Sequence, residues 1–174
     1  FRLLNMPGLR GVLVTFRNNP SDASPLILLS PEGEALRRYW HSGHIVALET
    51  FDRDNDGVPE IYLGAIANNY GATDLIVLDP RNFGGASLED KENQIQDQGP
   101  PVEQARLLMP RTRLSRAVLK YNMLSTIRHE AEQIRLEVQE LPGDPMDSTA
   151  AYYQLDRNLR LVDVHVADMT ATVY

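Results

Sequence analysis

The chain contains no cysteine, and that absence removes disulfides, thiolate zinc centres and cysteine nucleophiles at once. It leaves the redox compartment open. No apolar run approaches the roughly 20 residues that a membrane-spanning helix needs, so no membrane insertion is expected of this segment. No signal-peptide pattern is visible in these residues. The first residue is Phe1 rather than Met, which leads us to expect a piece of a longer chain or a processed form. There is no lysine- or arginine-rich run either. Arg111, Arg113 and Arg116 form the densest basic stretch, while the formal net charge is −7 and the pI about 5.0. Nucleic-acid binding needs a basic surface that displaces counterions, so composition argues against it, and the three arginines read as a solvated face. The sequon Asn19-Pro20-Ser21 carries proline in its middle position and is dead. A Gly-x-Ser-x-Gly elbow, a Walker loop and a dinucleotide fingerprint are all missing.

What is present reads as a globular β protein. Of 174 residues, 43% are hydrophobic and 24% charged, enough for one ordinary domain or two very small ones. Short β-rich runs recur at 11–17 (GVLVTFR), 26–29 (LILL), 44–51 (HIVALETF), 60–67 (EIYLGAIA) and 74–79 (DLIVLD). Turn residues separate them every 8–12 positions, the spacing of a sandwich or propeller rather than a βαβ fold. LILLSPEGEALRRYW predicts a hairpin, because proline second and glycine fourth suit a type I turn. AYYQLDRNLRLVDVHVAD (151–168) predicts another, turning through Asp156–Asn158. The two hairpins echo each other in order, which is either a repeat remnant or ordinary hairpin grammar.

Two segments read differently. Residues 80–103 are poor in large apolar side chains and rich in Gly, Pro and charge, so we expect a loop or linker at 81–103. It divides a first region, 1–80, from an antiparallel β region, 104–174, packed on it as one domain. Over 111–141, Leu114, Ala117, Tyr121, Leu124, Ile127, Ala131, Ile134, Val138 and Leu141 follow a helical spacing. Yet Ile134, Leu136 and Val138 also alternate with Arg135, Glu137 and Gln139. The reading favoured is a short helical turn near 112–120, then strands at about 123–128 and 133–140. The 151–168 hairpin needs neighbours, since two strands alone are marginal in water. A helix within 111–132 remains the competing expectation.

The densest chemistry lies at 52–60, Asp-Arg-Asp-Asn-Asp-Gly-Val-Pro-Glu. Asp52, Asp54 and Asp56 occupy positions 1, 3 and 5, Gly57 position 6 and Glu60 position 9. Alternating aspartates on a curled loop turn three carboxylates toward one centre, and glycine permits the sharp turn. Calcium takes six to eight oxygens, carboxylates and backbone carbonyls mixed, so the Val58 carbonyl and Glu60 would complete the shell. A divalent ion would also reverse the repulsion among four carboxylates, which Arg53 alone does not offset. Magnesium suits so complete a protein cage less well. An EF-hand is excluded, because position 12 is Leu63 and the flanks read as strands. A solvated turn without metal is the bland alternative.

This spacing, followed by a short apolar strand with Ile61 and Gly64, resembles the calcium loops of FG-GAP (VCBS) repeats, the blade units of integrin-α-type propellers. The resemblance covers about residues 40–80. It departs at position 9, Glu60 standing for the usual aspartate, and NFGGAS (82–87) is only a faint relative of the name-giving elements. It implies an all-β, propeller-like blade or two with one structural calcium. It further implies a non-enzymatic binding module in an extracytoplasmic setting, with a protein or glycan ligand that the sequence does not identify. The alternative is a fragment of a propeller-type enzyme or membrane-anchored sensor whose active part lies elsewhere.

Other candidates are weaker. His41 and His44, beside Trp40, could begin a zinc site, but no third ligand follows at a suitable spacing, so a turn before a strand is the better reading. His129 and His165 are remote in sequence. NNYGATD (68–74) is read as a connector rather than a binding loop.

Overall fold

The computed structural model describes residues 1–16, 23–67, 72–87, 101–109, 119–130, 133–142 and 149–168. Among them are thirteen strands and no helix, so the all-β expectation holds. The first sheet is an antiparallel meander of β1 (Arg2–Met6), β2 (Leu9–Thr15), β3 (Ser24–Leu29) and β4 (Ala35–His41). A two-residue strand, β8 (Gly85–Ala86), runs parallel to β4 at its edge. The second sheet holds β5 (Ile45–Phe51), β6 (Glu60–Ala67), β7 (Ala72–Leu78) and β9 (Ala105–Met109). The third is a meander of β10 (Leu119–Glu130), β11 (Gln133–Pro142), β12 (Thr149–Asp156) and β13 (Leu161–Asp168). Among the described residues no sheet closes on itself.

The predicted hairpins form for the reasons their turns give. In Ser30–Gly33 the Gly33 N–H reaches the Ser30 carbonyl at 3.0 Å, and Ser30 Oγ accepts from the N–H groups of Glu32 and Glu34. In the 156–160 turn, Asp156 Oδ1 accepts from the N–H groups of Asn158 and Arg160, both at 2.8 Å. The Asn68–Gly71 loop lies outside the described residues, as do Arg111, Arg113 and Arg116.

The favoured strands near 123–128 and 133–140 form, and the competing helix within 111–132 is corrected: Leu119–Glu130 is strand, paired antiparallel with β11 from Leu119↔Pro142 to Glu130↔Gln133. Residues 111–118, with most of the short helical turn expected near 112–120, and 131–132 lie outside the described residues. The physical reason is β11: it is hydrogen-bonded to β10 on one side and β12 on the other, so its period-2 pattern wins over the helical one. The pairing slips between Leu124 and Thr126. At that irregularity the Leu124 N–H turns to Thr73 Oγ1 (2.9 Å), and the same hydroxyl donates to the Ala65 carbonyl (2.8 Å). One threonine thus ties the third sheet to two strands of the second.

The sheets stack face to face, with the second in the middle. One core joins Leu13, Leu26, Leu28 and Tyr39 of the first sheet to Ile61, Leu63, Ile76 and Leu78 of the second. The other joins Tyr62, Leu75 and Val77, from the opposite face, to Leu124, Ile134, Leu136 and Tyr153 of the third. Covered on both sides, β7 is buried at every position, which is why DLIVLD reads as a continuous apolar run rather than an alternation. Close approach is bought at Gly64, where a Cβ would stand 2.8 Å from Leu124 Cδ2 and 3.1 Å from the Ala47 Cβ.

Candidate metal centre

The acidic loop joins β5 to β6, at one end of the middle sheet. Its backbone curls around the aspartates. Asp52 Oδ1 accepts from the Asp56 N–H (3.1 Å) and Oδ2 from the Gly57 N–H (2.8 Å). Asp54 Oδ1 is a second, longer acceptor for Asp56 N–H (3.3 Å), and Asp56 Oδ1 accepts from the Val58 N–H (2.8 Å). Asn55 (φ 60°) and Gly57 (φ 83°) take left-handed conformations that produce the curl, and asparagine and glycine are the residues that tolerate them.

The result is a cluster in which Asp52, Asp54 and Asp56 each offer a carboxylate oxygen, all within 4.8 Å of one another. Two oxygens on opposite sides of a calcium ion bound at 2.3–2.6 Å stand roughly 4.6–5.2 Å apart, so this spacing allows the three to supply part of the six to eight oxygens that ion takes. Asp54 and Asp56 are exposed and Asp52 half-buried, leaving the site open to solvent.

Among the described residues this group holds the three aspartates and does not include Glu60. Val58 packs its half-buried side chain against the first core. Glu60 is only 3% exposed, and its carboxylate faces Arg53. Oε2 accepts from the Arg53 N–H at 2.9 Å, and Oε1 lies 3.5 Å from the Arg53 guanidinium. Burial pushes the Glu60 carboxyl above its usual range, with the Arg53 contacts opposing. A second cation approaches from the turn after β7: Arg81 lies 3.8 Å from Asp56 and pairs with Asp79 at 2.7 Å, holding the Asp79 carboxyl below its usual range.

An aromatic stack anchors the loop to the third sheet. Phe51, immediately before Asp52, lies between Tyr62 (ring centroids 3.9 Å) and His129 of β10 (4.6 Å). His165 lies elsewhere, over Tyr152 at 6.4 Å.

The histidine pair resolves differently. His41 is fully buried, and its Nδ1 accepts from the Gly43 N–H (2.9 Å), so Nε2 carries the proton toward Asp74 Oδ2 (3.3 Å). Arg106 donates to the same oxygen through Nε (3.2 Å) and Nη2. Both ring nitrogens of His41 are thereby engaged, and among the described residues neither His41 nor His44 belongs to a group of three or more metal-ligating side chains. Beside the trio, buried Tyr39 donates to Glu103 Oε1 at 2.6 Å, and its phenol is pushed far above the usual range by burial first and by Glu103 next. This network joins β4, β7 and β9. Sequence reasoning missed it; the available signal was one acid, Asp74, heading an apolar run.

Comparison with protein-family models, with curated proteins and with solved structures gives no match.

Proposed function

We propose that the chain is a calcium-stabilised, non-enzymatic interaction module of FG-GAP (VCBS) type, working in an extracytoplasmic setting on a protein or glycan ligand. The convergence of Asp52, Asp54 and Asp56 carries this reading. Three consecutive, largely antiparallel sheets stacked face to face support the blade-like part of it. The residues that would hold the single ion are Asp52, Asp54, Asp56, the Val58 carbonyl and Glu60. For Glu60 this means competing with Arg53, which engages its carboxylate. The ion would supply no reaction; it would cancel the repulsion of the carboxylates and fix the β5–β6 connection. Extracellular calcium reaches the millimolar range, in which even a weak site of this kind fills.

Thermal melting tests the proposal. An ion at about 100 times its dissociation constant stabilises by about 2.7 kcal/mol, which for a chain of this size raises Tm by roughly 5–10 °C. Calcium is expected to produce that shift, magnesium much less, and Asp54→Ala to abolish it. A melting temperature indifferent both to calcium and to Asp54→Ala would sink the reading.

A further inference from the structure

β13 ends the third sheet, and among the described residues no strand pairs with its outer edge. Its eight residues, LVDVHVAD, include no lysine or proline, two of the residues that guard exposed edges. At the opposite end of the same sheet β10 packs on β5, β6 and β7, and its Leu124 N–H is taken by Thr73. Along β13, Leu161, Val162 and Val164 are 58%, 55% and 41% exposed. Val164 stands opposite Tyr153 and Val166 opposite Ala151, at the margin of the second core, and Val166 is only partly covered there. Asp163 and His165 are exposed as well.

We propose that β13 pairs antiparallel with β13 of a second copy of this chain, about a two-fold axis through Val164. The complement of Asp163 and His165, acid against imidazole, selects both the occupant and the register. Centred on Val164, the pairing sets Asp163 of each copy opposite His165 of the other, twice by symmetry, and Val162 opposite Val166. Centred one residue on, at His165, it would set Asp163 against Ala167, leaving the acid without a base, and centred at Asp163 it would set the two aspartates against each other. The strand is thus complementary to itself in one register, as an isologous interface requires. Two third sheets would merge into one continuous sheet, the edge N–H and C=O groups would be satisfied, and the valine row would run across the junction. Each cross-strand aspartate–imidazole pair contributes modestly, so the dimer is a reversible one.

Sedimentation velocity on the 174-residue chain tests this from low to high micromolar concentration. A monomer–dimer equilibrium is expected. Asp163→Arg, at an exposed position, is expected to weaken it about tenfold or more, since two pairs are reversed at once. Adding His165→Asp to that variant restores the complement and should recover most of the loss. Val164→Lys should abolish association. Melting curves of each variant check that the fold survives. A chain that stays monomeric throughout, a dimer indifferent to Asp163→Arg, or a double variant no tighter than the single one overturns the proposal. Capture of an extended peptide by a strictly monomeric chain would overturn it equally.

Discussion

Asp74→Ala is expected to destabilise the chain by about 3–5 kcal/mol, because it strips a buried ion pair of one partner only. Asp74 is fully buried and takes hydrogen bonds from Arg106 and His41 on one oxygen, Oδ2. Without it, a guanidinium only 21% exposed faces the ring of a buried histidine, and Glu103, 4.0 Å from it, is too distant to replace the short Asp74 contacts. The loss would pull the first sheet away from the second, since His41 belongs to β4 and Asp74 to β7. At roughly 2–4 °C per kcal/mol for a chain of this size, Tm should fall by about 10 °C. The trio as a whole is worth less than that figure suggests. Asp74 Oδ1 has no hydrogen-bond partner among the described residues, so the native carboxylate already bears a desolvation cost. Pairing Asp74→Ala with Arg106→Leu should therefore recover part of the lost stability. Urea unfolding of the three forms measures this, and a loss below about 1 kcal/mol for Asp74→Ala would show that the network contributes little.

The second large effect separates two aspartates that are equivalent toward an ion and unequal toward the loop. Asp52 accepts from two backbone N–H groups, those of Asp56 and Gly57, whereas Asp54 makes one long contact of 3.3 Å. In the metal-free chain, Asp52→Ala should cost about 1–2 kcal/mol, the net value of its hydrogen bonds. Asp54→Ala should cost almost nothing and relieve some like-charge repulsion. With calcium present both variants lose the whole metal-dependent stabilisation, so Asp52→Ala falls roughly 3–5 kcal/mol below the calcium-loaded parent. Melting the three forms with calcium and with chelator reads both contributions. Equal behaviour of the two variants without metal would contradict the hydrogen-bond geometry.

How much of this was legible in the sequence depends on how local each cause is. The Ser30–Gly33 and Asp156–Arg160 hairpins were, because turn chemistry and flanking patterns lie within fifteen or so residues of each other. β6, Glu60–Ala67, coincides with the run EIYLGAIA. The acidic cluster was legible for the same reason: three carboxylates at alternate positions with glycine after them. Its surroundings were not. Arg81 reaches Asp56 only because the turn after β7 lies beside the β5–β6 loop, and Phe51 finds His129 only because β10 crosses the middle sheet. The choice between helix and strand around 119–130 was decided by the neighbours of β11, which the local pattern does not contain. The His41–Asp74–Arg106 trio spans three strands of two sheets and left only an acid beside apolar residues as its trace.

Isothermal titration of the chelator-stripped chain with calcium reads the metal site itself. One ion is expected to bind per chain, much more weakly or not at all after Asp54→Ala, with magnesium a poor competitor. No binding heat at millimolar calcium, or an isotherm unchanged by Asp54→Ala, would contradict it.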